Sequence, residues 1–128
     1  MRKKILIVVA SYYESIANSL LKSAKNKIKN KCNIDVIRVP GAFEIPVTIA
    51  KNIKKFNGFI ALGCVIKGKT PHFDFISKST TDALMMLSIT SKKPVGNGVI
   101  TCLNKKQALE RGNKGSEAAK AVLSVLFQ

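Results

Sequence analysis

His72 is the one histidine in the chain, and it closes the run Gly68-Lys69-Thr70-Pro71-His72, which also carries a cation and a hydroxyl. Thr70-Pro71 has the pattern of a helix N-cap followed by proline at the first helical position, so the run predicts a helix start. Unpaired backbone N–H groups and the positive dipole end favour an anion there, and a phosphate fits. A histidine in that first turn could exchange protons near neutral pH, although the dipole favours its neutral form. Two plainer readings compete: Thr70 only caps the helix, and His72 is a packed, hydrogen-bonded core residue. The spacing is not a P-loop, which needs GxxxxGK[ST], and no dinucleotide GxGxxG follows the first apolar segment.

Other loops hold residues of similar interest. Glu44 stands in the apolar stretch Ala42-Phe43-Glu44-Ile45-Pro46. A buried carboxylate needs partners, so it either caps the following helix or accepts hydrogen bonds from ligand hydroxyls. Tyr12 and Tyr13 either brace the first helix or offer one ring to a planar ligand. Cys32, Cys64 and Cys102 are odd in number and far apart, which matches neither a disulfide framework nor the paired spacing of a zinc site. They are expected to be buried or free thiols.

These residues need elements to position them. Lys4 to Val9 is a nearly continuous aliphatic run, as expected for a strand buried on both faces of a parallel sheet. Ile16, Leu20, Leu21, Ala24 and Ile28 recur at helical spacing, predicting a helix from about Glu14 to Asn30. A second strand follows over Ile34 to Val39, and Ile45-Pro46 opens a second helix. Phe59 to Ile66, the most apolar stretch, reads as a central strand. After Thr70-Pro71 comes a helix with Ile76, Thr80, Ala83, Leu84 and Leu87 on one face, then a fourth strand around Gly98 to Cys102. Two closing helices are expected over Lys105 to Arg111 and Gly115 to Phe127. Alternating strands and helices predict one domain over residues 1–128, with a four-stranded parallel sheet between helical layers. In such folds ligands bind beyond the carboxyl ends of the strands. That rule selects the loops at Ser11 to Tyr13, Pro40 to Glu44 and Lys67 to His72, and the segment after Cys102.

Composition narrows the class. With 128 residues, 46% of them hydrophobic and 23% charged, the chain can bury a core and is not expected to be disordered. No apolar run approaches a membrane span, and the short segment after Met-Arg-Lys-Lys does not suit a signal peptide. No membrane association is therefore expected, and the protein is placed in the cytoplasm. The formal net charge of +15 invites a nucleic-acid reading. However, the basic residues are almost all lysine and no aromatics interleave with them to stack bases, so no specific nucleic-acid partner is expected.

Three segments resemble the lumazine synthase family: Val39 to Pro46 (VPGAFEIP), Leu62 to Asp74 (LGCVIKGKTPHFD), and Gly98 to Thr101 with Gln107 to Arg111 and Asn113 to Gly115. They occur in the family's order and span nearly the whole chain. The resemblance implies a flavodoxin-like three-layer α/β/α fold and an enzyme of riboflavin biosynthesis. Its reaction would condense 5-amino-6-(D-ribitylamino)uracil with 3,4-dihydroxy-2-butanone 4-phosphate, releasing phosphate and water, with no metal or organic cofactor. On that pattern Tyr12 stacks on the pyrimidine, the backbone at Ala42, Phe43 and Glu44 and at Cys64, Val65 and Ile66 grips the ring, and Glu44 holds ribityl hydroxyls. Lys69 and Thr70 take the phosphate, and Arg111 reaches it from a neighbouring subunit, with Lys114 nearby. His72 moves protons during imine formation, phosphate loss and ring closure.

The resemblance also implies homopentamers with sites between subunits, some of which build shells of sixty. This sequence departs from the pattern at Ser11, where arginine is frequent, and at Asn97, where a phenylalanine often covers the pyrimidine from the adjacent subunit. The segment between Arg111 and Lys114 is several residues shorter than usual, so a tight turn is expected there. The alternative of a different class is a flavodoxin-like module that binds RNA or a phosphometabolite without turnover.

Overall fold

The computed structural model describes residues 2–128. Four strands, β1 (Lys3–Ala10), β2 (Cys32–Val39), β3 (Gly58–Ile66) and β4 (Val95–Cys102), form one sheet in the order β2-β1-β3-β4. Every pairing is parallel, with Val9 opposite Arg38 and Leu62, and Ile66 opposite Cys102. The helices are α1 (Glu14–Ile28), α2 (Ile45–Lys51), α3 (His72–Ser91), α4 (Lys105–Leu109) and α5 (Lys114–Leu126). The result is the flavodoxin-like three-layer arrangement.

The aliphatic run of β1 follows from this layering. Ile5, Ile7 and Val9 point to one side and Leu6 and Val8 to the other, and all five are fully buried. The first set packs with Ile16, Leu20, Ala119 and Val122 of α1 and α5, the second with Ile45, Ile49 and Leu84 of α2 and α3. Both faces are apolar because both carry helices.

Glycine sets how closely α5 can approach. A Cβ on Gly96 of β4 would lie 2.8 Å from Val122 Cγ2 and overlap the Ala118 carbonyl oxygen. A Cβ on Gly115 would overlap the Leu20 carbonyl oxygen of α1. The same junction is tied by Ser23, whose hydroxyl donates to the Gly112 carbonyl at 2.7 Å and accepts from the Ser116 N–H at 3.1 Å. This clamp holds the tight turn between α4 and α5. Ahead of it, Asn104 Oδ1 accepts from the Gln107 N–H and Gln107 Oε1 accepts from the Leu103 N–H, each at 2.8 Å. Two exposed backbone donors are thereby satisfied at the start of α4.

Several expectations are corrected. Helix α1 stops at Ile28, because Lys29 to Lys31 turn directly into β2, which starts at Cys32 rather than Ile34. Strand β4 begins at Val95, three residues before Gly98, since two glycines obscure an edge strand whose inner side is packed against α5. Helix α4 ends at Leu109, so Arg111 sits in a turn, and α5 begins at Lys114. A 3-10 turn over Ala42–Glu44, absent from the sequence reading, precedes α2. Pro71 takes the N-cap position of α3 and Thr70 lies one residue ahead. Thr70 Oγ1 nevertheless accepts from the His72 N–H, at 3.4 Å.

Candidate active site

Parallel strands bring the loops after β1, β2 and β3 to one end of the sheet, and there they enclose a cavity of about 260 Å³. Tyr12, Ala42, Phe43, Cys64, Val65, Ile66 and His72 line it, together with Tyr13, Gly41 and Ile76. Each arrives for a local reason. Hydrogen bonding along β3 fixes the backbone of Cys64 to Ile66, Pro40-Gly41 turns the chain out of β2, and the start of α3 delivers His72. The sequence singles out neither Gly41 nor Ile76 as a site residue, and it favours Tyr12 over Tyr13 as the stacking ring only through the family resemblance. The Pro-Gly pair was a usable signal for the first, whereas Ile76 reads as ordinary core.

Tyr12 is 76% exposed and meets Tyr13 edge to face, with ring centroids 4.9 Å apart. Its own face is open to a planar ligand. Tyr13 packs inward on the core, and burial, helped by Tyr12 and Cys64, raises its phenol above the ordinary value. Tyr13 is thus the brace of α1 and Tyr12 the available ring. His72 is exposed, which overturns the packed-core reading. It has no burial to satisfy, so its presence at the cavity is not explained by packing.

Glu44 turns its carboxylate back to accept from the Gly41 N–H at 2.9 Å. It closes the 3-10 turn that shapes this side of the cavity, and its second oxygen remains for another donor. Lys69 and Thr70 lie in the exposed loop before α3, outside the lining. Glu44 is not part of the lining either, and three further expected residues lie away from the cavity of the single chain. Asn97 is in the middle of edge strand β4, where its Oδ1 accepts from the Val99 N–H at 3.0 Å. Arg111 Nη1 donates to the Thr101 carbonyl at 3.1 Å and contacts Cys102 Sγ at 3.8 Å. Lys114 pairs with Glu117 at 3.3 Å.

Burial pushes the Cys64 thiol up to about 12, with further contributions from Cys102, whose thiol also hydrogen-bonds it. The thiol is neutral in the working range and lines the cavity without being a nucleophile. Alkylation of Cys64 by iodoacetamide near pH 8 should therefore run roughly 50-fold slower than that of an ordinary thiol, after allowing for the greater intrinsic reactivity of a more basic thiolate. Peptide mapping of the alkylated protein reads this directly, and labelling at the free-thiol rate would refute it. The unfolded chain, with this thiol near the ordinary 9, releases its proton first as pH rises. Its contribution to stability is constant below pH 9 and falls between 9 and about 12.

A flavodoxin-like sandwich with an aromatic-rimmed cavity beyond the carboxyl ends of its central strands, and a histidine at its edge, has the form of a small-molecule site. The chain belongs to the 6,7-dimethyl-8-ribityllumazine synthase family, whose model matches residues 2–128. A protein of that name from Bartonella tribocorum is 43% identical, over 98% of this chain and 91% of the relative. Relatives of the same name from Buchnera aphidicola and Agrobacterium fabrum are 42% and 40% identical, over 98% and 95% of this chain and 86% and 91% of their own lengths.

Proposed function

We propose that this chain condenses 5-amino-6-(D-ribitylamino)uracil with 3,4-dihydroxy-2-butanone 4-phosphate to 6,7-dimethyl-8-(D-ribityl)lumazine, as one catalytic domain in the cytosol. The observation that carries the site is the convergence of Tyr12, Ala42, Phe43, Cys64, Val65, Ile66 and His72 on one cavity in a chain of this family. Tyr12 stacks on the pyrimidine, and backbone groups of the Ala42 turn and the end of β3 hydrogen-bond its edges. Glu44 accepts from ribityl hydroxyls with the oxygen that Gly41 leaves open. Lys69 and Thr70 hold the phosphate in the loop before α3, where the lysine's charge and the positive end of the helix both favour an anion. His72 takes and returns protons as the imine forms, phosphate leaves and the second ring closes. Holding both substrates in one site supplies much of the acceleration.

The working form in this reading is a homopentamer. A cavity of about 260 Å³ is small beside the ~300 to 1,000 Å³ of typical small-molecule sites, which supports completion of the walls by another chain. Phe75, Met85, Met86 and Ile89 of α3 are each more than half exposed, which supports their burial in an assembly. Asn97 and Arg111 are the residues a neighbour would contribute. The contacts of Arg111 use one nitrogen of its fork, leaving the rest for an anion presented by that neighbour.

Mixing both substrates with purified protein should generate the fluorescent lumazine, and binding of both without product would leave only a binding module. Arg111→Ala should raise KM for the butanone phosphate by roughly 10- to 100-fold, the equivalent of about 1.5 to 3 kcal/mol, with little change in pyrimidine affinity. Equal loss for both substrates would make the arginine structural.

A further inference from the structure

The parallel topology sorts charge as well as ligands. Each strand is preceded by lysines at its amino end: Lys3 and Lys4 open β1 after Arg2, and Lys29 and Lys31 lead into β2. Lys54 and Lys55 do the same for β3, and Lys92 and Lys93 for β4. Because every strand runs the same way, these residues share the end of the molecule opposite the cavity. The last turns of α1 and α2 add Lys25, Lys27 and Lys51. Twelve of the 22 basic residues therefore gather at one pole.

The acidic residues do not offset them. Glu14, Asp74 and Glu117 occupy first turns of helices at the other end, where the dipole favours them, and Glu44 lies beside the cavity. Only Asp35, in a hollow with Lys4 and Lys55, comes near the basic pole. Neither ion pair among the described residues involves any of the twelve. Helix dipoles account for Lys25, Lys27 and Lys51, but not for the nine cations in the loops and strand starts. Lys93 has a structural use, donating to the Ile53 carbonyl at 2.6 Å, and Lys4 lies 5.4 Å from the Phe56 ring centroid. The others are exposed and uncommitted among the described residues.

We infer that this pole is a docking surface for the phosphate backbone of duplex nucleic acid, bound without regard to sequence. Lysine supplies point charges for phosphates, whereas the planar fork that reads bases is nearly missing: Arg2 is the one arginine at this end. A single strand would need a stacking platform, and one exposed aromatic, Phe127 beside Lys27 and Lys31, does not make one. A duplex needs none and presents a charge about every 1.7 Å, the density that suits a wide lysine field. Such binding differs from the specific recognition that the sequence argues against.

The test is fluorescence anisotropy of labelled duplexes of about 20 base pairs, in two unrelated sequences, titrated with the full chain from about 50 to about 200 mM salt. Four to six phosphate contacts should weaken binding on the order of 10²- to 10³-fold across that range, equally for both sequences. Lys54→Gln with Lys55→Gln should lower the log–log salt slope by about 2, while Lys105→Gln with Lys106→Gln, the same charge change at the opposite end, leaves it unaltered. Equal effects of the two pairs would show binding by overall charge alone and overturn the assignment to this pole. No binding at about 50 mM salt, a preference between the sequences, or equal competition by polyglutamate would overturn it as well. Lumazine formation should be unchanged in both variants, so failure here leaves the proposed reaction standing.

Discussion

Substituting His72 with glutamine should lower kcat for lumazine formation by up to roughly 10²-fold while leaving the melting temperature nearly unchanged. The rate loss is the low end for a general acid–base group, because proximity and the intrinsic reactivity of the amine survive without it. The stability expectation comes from exposure: His72 is on the surface, and surface substitutions cost within about 0.5 kcal/mol, or about 2 °C in a domain this size. Substrate affinities should change little. Steady-state kinetics and thermal melting on the same preparation check both halves. An unchanged kcat removes His72 from the mechanism, and a loss of several degrees would restore a structural role.

Gly115→Ala should lower the melting temperature by roughly 10 °C, corresponding to about 3 kcal/mol. Two effects oppose one another at this position. Alanine is the better helix former by about 1 kcal/mol, which alone would stabilise α5. Against that, the new methyl overlaps the Leu20 carbonyl oxygen and crowds Ser23, both of which belong to α1. Backbone cannot rotate away as a side chain can, so separating the helices would also stretch the Ser23 bonds to Gly112 and Ser116. The steric effect should win. Calorimetry with the exposed Lys120→Ala as a control decides it, and a rise in melting temperature would show that the two helices have room to spare.

How much of this was legible in the chain depended on what each residue touches. Strand β1 was readable because burial on both faces leaves nearly pure aliphatic sequence, and α1 because one face is buried and the other is lysine-rich. The carboxyl-end rule alone locates the loops of Tyr12, Glu44 and His72. Strand β4 was read short because Gly96 and Gly98 reflect the approach of α5, a contact with elements far away in sequence. The position of Arg111 on the Thr101 carbonyl was unreadable for a similar reason: it depends on a turn whose shape is set by Ser23, 89 residues away from Gly112. Whether His72 was packed or exposed could not be decided from a lone histidine beside apolar residues, since both arrangements share that pattern.

Ser23 and the sheet order have a consequence for synthesis on the ribosome. The first strand made is an inner one, and its second neighbour arrives only with β3, as the Lys4 to Asn57 hydrogen bond across 53 residues marks. The apolar stripe of α1 waits longer still, because its cover is α5, the last helix to emerge. A nascent chain therefore holds Ile16, Leu20 and Ala24 without their final partners until α5 has been made. The α1 face of the sheet closes only after α5 has emerged, so the contact that seals it is among the most delayed in the fold.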